Sequence, residues 1–340
     1  MESRNKHKKN KKKIYNNTKP NDNKFKQTII INKIQPEIQM NNIHLEYVYS
    51  IIQLTDKRIV TGSINSLLIC SVNILTKCWN IDITKESAHN SKINSLCELT
   101  NSRLISGSDD QLIKIWLYSS KDLSLIKQIS KHKGFIYKII TLTNNIFATC
   151  SQDHTVKLFE HNENYQELLT IKCLSPIISI INLQKRKQLV IASRSSFSSS
   201  FSFWDTDSYI LIKNMNNYYF ISAPSHMIEL PNGNIVVSSN DERKPIVIIN
   251  TINYSIDKII YCDEIIKSDS SLCIINDCSF IYLWNGNILQ ISSKDYSIIY
   301  KSNKLKGLDG WYGMISIDNG NYLVITNPFR GISIVKICYA

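Results

Sequence analysis

The stretch Ser106–Trp116, SGSDDQLIKIW, sets hydroxyls, two adjacent carboxylates and an indole close together in sequence. A carboxylate held in a turn accepts hydrogen bonds from backbone N–H groups and from an imidazole. Such charge-assisted bonds contribute roughly 1.5–3 kcal/mol each when sheltered from water. An imidazole is available, since His89 precedes Ser106 by 17 residues. The same spacing separates His132 from Thr149 and His44 from Thr61. Asp153 follows Thr149 by four residues, as Asp110 follows Ser106. In the copy at His44 the corresponding positions hold Asn65 and Ser71, and in the copy at His132 the indole position holds Phe159. The chemistry these groups offer is mutual hydrogen bonding, not turnover. The chain has no G-x-S-x-G, no H-E-x-x-H, no Gly-rich phosphate loop and no paired metal-ligand carboxylates. His7, His154, His161 and His226 have no evident catalytic partner. No catalytic residue, metal site or cofactor is expected, and the chain reads as a non-enzyme.

Such groups must be held by a hairpin. The small residues Ser106–Ser108 end one strand, Asp109-Asp110-Gln111 turns, and Leu112–Trp116 alternates as a second strand. Apolar strand ends recur along the chain at Leu54, Leu99, Leu142, Leu183, Leu230, Ile275 and Ile317, with spacings of 45, 43, 41, 47, 45 and 42 residues. Turn signals such as Pro231-Asn232-Gly233-Asn234 and Asp318-Asn319-Gly320-Asn321 punctuate the units, and no amphipathic helix interrupts them. A period near 40–45 residues with about four short strands per unit is the signature of a β-propeller. The fold class expected is all-β, seven four-stranded antiparallel blades. The seventh unit runs out after three strands. The isolated apolar run Thr28–Ile34, ended by Pro36, supplies the missing outer strand and closes the ring with both chain ends.

The quartet His89, Ser106, Asp110 and Trp116 matches the pattern of the WD40 repeat family in full, and the chain resembles that family as a divergent seven-bladed propeller. His132, Thr149 and Asp153, and then His44 and Thr61, follow the pattern with losses. The resemblance implies that these side chains form a structural relay pinning each loop to its hairpin. Trp204-Asp205 is the only literal Trp-Asp dipeptide, in a unit without a matching histidine. The resemblance also implies a partner-binding top face. Its positions map to Tyr47, Tyr49 and Ile64, to Lys92, Asn94 and Asp109, and to Phe135, Tyr137 and Gln152, with Trp311 and Tyr312 in the seventh unit. Asp109 is the acidic residue left to meet a partner. Aromatic side chains suit such a face because they bury large area at low entropy cost.

Charge is concentrated at one end. Residues 1–26 carry ten Lys/Arg against Glu2 and Asp22, which is +8 of the chain's +12 and leaves +4 for the other 314 residues. A polar, basic segment of this kind is expected to be disordered, with residues 27–340 forming the propeller. Three readings of the tail stay open: a nuclear import signal, a contact for RNA or acidic surfaces, and a solvated arm. The body is too nearly neutral to argue for a nucleic-acid-binding domain. Nine cysteines without C-x-x-C spacing read as thiols of a reducing compartment, cytoplasmic and/or nuclear. No apolar run is long enough for a transmembrane helix, and no membrane partner is expected. The Ser-rich stretch Ser193–Phe203 reads as a flexible insert. The function expected is an interaction scaffold or adaptor that binds a peptide or protein on the top face. The alternative is an RNA- or ribosome-associated factor using the tail, with the propeller as platform.

Overall fold

A computed structural model of the chain describes residues 30–143, 145–194, 199–217, 224–239, 246–261, 271–284, 286–305, 313–327 and 329–339. The basic tail, residues 1–26, therefore lies outside the described residues. The strands form seven antiparallel sheets of four strands each. Blades 1 to 6 span residues 50–85, 93–129, 136–172, 177–217, 224–260 and 271–301. Blade 7 combines Met314–Ile317, Tyr322–Asn327 and Gly331–Tyr339 with Ile31–Met40. The first strands of successive blades touch one another in an unbroken cycle that returns from blade 7 to blade 1, which makes the ring.

The sequence builds this ring through apolar strands buried on both faces. Ile59–Gly62, Ile235–Ser239, Ser279–Trp284 and Asn287–Ser292 are buried at every position. Seven hydrophobic clusters result, each joining one blade to the next. Leu54, Leu99, Leu183, Leu230, Ile275 and Ile317 fall in these clusters at the end of their blades' first strands, and Leu142 of blade 3, half-buried, packs against the remaining one. The 41–47-residue period is the length of chain needed to cross one blade and return to the axis.

Closure by the N-terminal strand is observed, with different bounds from those expected. The strand runs Ile31–Met40, straight through Pro36, and pairs antiparallel with Gly331–Tyr339. Thr28 and Ile29 lie outside the described residues. Pro36 does not end the strand because this strand is the outer edge of its blade, where a missing N–H breaks no ladder, and the register shifts between Pro36 and Ile38. Ile31 N–H also donates to Gln290 Oε1 of blade 6 at 2.9 Å. Gly331 is required at the seam, since a Cβ there would meet Met40 O at 1.7 Å.

The Ser-rich insert is a second correction. Gln188–Arg194 and Ser199–Asp205 are paired strands of blade 4, with Arg194 opposite Ser199, and Phe201 and Phe203 are fully buried. Only residues 195–198 between them lie outside the described residues. Serine and phenylalanine alternate here with period two, so the polar residues mask an ordinary core strand.

Candidate functional site

In blade 2 the loop that enters the blade and the turn between its second and third strands are joined by one chain of hydrogen bonds. Trp116 Nε1 lies 2.9 Å from Ser106 Oγ, Ser106 Oγ 2.7 Å from His89 Nε2, and His89 Nδ1 2.9 Å from Asp110 Oδ2. The direction is forced by the end groups. An indole N–H only donates and a carboxylate only accepts. Trp116 donates to Ser106, Ser106 donates to the unprotonated Nε2 of His89, and Nδ1–H donates to Asp110. Asp110 also accepts from the backbone N–H of Asn90 at 2.9 Å and of Leu112 at 3.1 Å. Burial opposes ionisation of Asp110, but the bonds from His89 and Asn90 outweigh it and hold the pKa at about 2. Burial also lowers the pKa of His89, partly offset by Asp110, which favours the neutral ring the relay needs. Lys114 Nζ closes the loop by donating to Ala88 O at 2.6 Å.

Blade 3 keeps the carboxylate and loses the indole. His132 Nδ1 bonds Asp153 Oδ2 and Nε2 bonds Thr149 Oγ1, both at 2.8 Å. Asp153 further accepts from Lys133 N–H and from both N–H and Oγ1 of Thr155. Its carboxyl is pulled well below the ordinary range, these bonds again overcoming burial. Phe159 stacks on Phe147 with centroids 5.2 Å apart.

Blade 1 departs from the sequence alignment. His44 bonds Thr61 Oγ1 through Nε2 and Ser66 Oγ through Nδ1, both at 2.8 Å. Asn65, the residue in the expected spacing, is exposed, and its carbonyl accepts from Ala88 N–H at 2.7 Å. The cause is a shorter turn: Gly62 pairs Leu67 across residues 63–66, whereas Gly107 pairs Ile113 across residues 108–112. The shortening also puts Cys70, not Ser71, at the indole position, opposite Ile59 as Trp116 is opposite Leu104. Without a carboxylate partner, burial drives the pKa of His44 down to about 4.

Blade 4 carries the literal Trp-Asp pair without a relay. Trp204 lies opposite Leu189 in the register of Trp116, but Ile191 stands where Ser106 does, and Trp204 Nε1 donates to Ser202 Oγ at 2.8 Å. Leu174, 17 residues before Ile191, is fully exposed.

The loops held by the relays carry a continuous strip of side chains across blades 1 to 3. Lys92 Nζ sits 4.4 Å from the centre of the Tyr49 ring. Asn94 Nδ2 donates to Asp109 Oδ1 at 2.6 Å and to Ile136 O at 2.8 Å, bridging blades 2 and 3. Asp109 is therefore already engaged, contrary to its reading as the unclaimed acid. Burial and the nearby Asp109 raise the pKa of Tyr137. Phe135 meets Tyr137 edge to face at 6.4 Å, and its carbonyl accepts from Gln152 N–H. Tyr47 (43 % exposed) and Phe135 (38 %) open to solvent, Gln152 is exposed, and Tyr49, Ile64 and Tyr137 are half-buried. Trp311 and Tyr312 lie outside the described residues.

The WD domain, G-beta repeat family model matches residues 82–116 and 123–160. Those segments end on Trp116 and on the residue after Phe159, and each carries one of the two carboxylate relays. Together with seven four-stranded blades in a ring, they decide the family. The chain is a WD40 repeat protein. No curated protein matches it. The WD40 motif is complete in blade 2 alone among blades 1 to 4; blades 1 and 3 keep part of its polar signature, and blade 4 keeps the architecture without the histidine relay. Among the described residues no helix is long and apolar enough to cross a membrane, and no group of three or more His, Cys, Asp or Glu is placed to hold a metal ion.

Sequence reasoning missed Ser66, Cys70 and the backbone donors of Asn90 and Leu112. An alignment on the strand pair Thr61–Leu68, instead of on a fixed offset from Thr61, would have found the first two.

Proposed function

We propose that this WD40 protein is a non-enzymatic interaction scaffold that docks a peptide or protein segment along the strip from Tyr47 to Gln152. The observation that carries this reading is the continuity of the strip. Tyr49 with Lys92, Asn94 with Asp109 and Ile136, and Phe135 with Tyr137 link three blades into one surface of fixed shape. Preorganised aromatic groups lose little entropy on binding, and the relays behind them fix the loops. The two exposed rings, Tyr47 and Phe135, are the anchors a partner would bury. The test compares wild type with a Tyr47→Ala, Phe135→Ala, Tyr137→Ala variant in quantitative affinity capture from the source cell. Loss of a defined partner set by roughly tenfold or more is expected when hot-spot aromatics are removed. Recovery of the same partners at the same level overturns the reading, provided the variant melts within a few degrees of wild type.

The concentration of +8 charge in residues 1–26 supports a second reading, RNA or ribosome association through the tail. Binding of this kind weakens steeply with salt and is lost on deletion of the tail. A salt-insensitive interaction that survives the deletion excludes it.

A further inference from the structure

Blade 4 has no relay histidine from which top-face positions could be counted, but its backbone marks them. In blade 2 the N–H of Asp109 donates to Lys92 O at 2.9 Å, and in blade 3 the N–H of Gln152 donates to Phe135 O at 2.8 Å. Blade 4 makes the same bond, from Arg194 N–H to Pro176 O at 2.9 Å. The strand registers agree. Ile93 pairs with Ser108, Ile136 with Ser151 and Ile177 with Ser193, and in each blade the next residue of the first strand is bulged out of the ladder. Arg194 therefore stands where Asp109 and Gln152 stand, and the strip continues into blade 4.

This end of the strip is cationic and apolar. Arg194 is exposed, and among the described residues no carboxylate pairs with its guanidinium. The four residues after it in sequence, Ser195-Ser196-Phe197-Ser198, carry no acid. Burial and Asp109 raise the pKa of Tyr137, and Arg194 opposes them, so the guanidinium stands within electrostatic reach of the phenol. Beside it Leu174 is fully exposed. Its loop is pinned at both ends, by Cys173 N–H on His154 O at 2.8 Å and by the bond to Pro176 O. A leucine and an arginine are thus held out together next to Phe135 and Tyr137.

We infer that the blade 4 end of the strip selects an acidic segment of a partner protein, with a carboxylate on Arg194 and a neighbouring apolar side chain on Leu174 and Phe135. This rests on the strip being the docking surface. Charge sets the occupant. The chain's own tail, with ten Lys/Arg against two acids, and a second copy, at +12, are both cationic. Asp109, close to Tyr137, opposes a backbone with a phosphate at every step but leaves room for one carboxylate at Arg194.

The test selects random displayed peptides on the full-length chain. Peptides with Asp or Glu beside an apolar residue are expected, bound roughly fivefold more weakly by Arg194→Glu, the scale of an exposed ion pair. Changing the selected acid to Lys is expected to restore binding to Arg194→Glu. Lys127→Glu, an exposed charge on the outer strand of blade 2, leaves the selection unchanged, and melting temperature controls for folding. Peptides that need Tyr47, Phe135 and Tyr137 but show no acid preference, or keep it in Arg194→Glu as attraction to the basic tail would, overturn this assignment alone. Peptides indifferent to those three rings, or none selected, overturn it together with the docking reading. Oligouridylate bound through Arg194 without acid selection overturns it in favour of RNA.

Discussion

Blades 1 to 3 and blade 4 solve the same packing problem with different polar chemistry. In the first three, a buried histidine ties the entering loop to the hairpin turn. In blade 4, Ile191 and Leu174 take the hydroxyl and imidazole positions, yet four strands form in the same register. The histidine relay is therefore not what makes a blade. Apolar strands clamped between neighbours make the blade, and the relay fixes where its loops stand. The aromatic strip lies on the three blades whose loops are fixed in this way.

Five substitutions break or sharpen this contrast. Phe203→Ala removes a fully buried ring from the contact between blades 4 and 5. A loss of about 3–5 kcal/mol is expected by denaturant unfolding, with the loops of blades 2 and 3 unaffected in the remaining folded fraction. A loss below about 1 kcal/mol would contradict the primacy of apolar packing.

Acid acts next. His44 is neutral in the fold with a pKa of about 4 and takes up a proton near 6.5 when unfolded. Its contribution is complete above pH 6.5 and is lost as pH falls towards 4, because the unfolded state binds the proton first. The shift, 6.5 − 4, corresponds to a loss of order 3 kcal/mol across that window. His44→Gln is expected to flatten the pH profile there, whatever it does to stability at pH 7. Asp110 adds a more acid limb, present above its ordinary value of 3.8 and lost as pH falls through about 2.

Asp110→Asn removes the charge that His89, Asn90 and Leu112 converge on, and about 2 kcal/mol is expected by the same unfolding assay. The smallest effect separates the observed blade 1 from the one a fixed spacing implies. Ser66→Ala should cost about 1 kcal/mol for a lost buried hydrogen bond, and Asn65→Ala no more than about 0.5 kcal/mol. The opposite order would restore Asn65 as the partner of His44.

The ring and its closure were legible because period and apolar alternation follow from the geometry of a blade. The relay of blade 2 was legible because its hairpin has the standard length. Blade 1 was misaligned beyond Thr61 by a turn one residue shorter, which moves the partner to Ser66 and the indole position to Cys70. Ser193–Phe203 was misread because serine fills the alternate positions of a core strand. Pro36 was misread because its effect depends on whether a strand is an edge, which only the assembled sheet reveals. The pairing of Asp109 with Asn94 depends on side-chain reach across neighbouring strands, which no spacing encodes.

Amide hydrogen exchange on wild type and Asp110→Asn, read peptide by peptide, tests most directly whether the relay places loops and not the blade. The account predicts faster exchange confined to the loop around Asn90 and the turn 109–112, with protection in Arg103–Ser108, Ile113–Tyr118 and blades 5 and 6 unchanged. A uniform loss of protection through blade 2 and its neighbours would contradict it, and would make the relay part of what holds the propeller together.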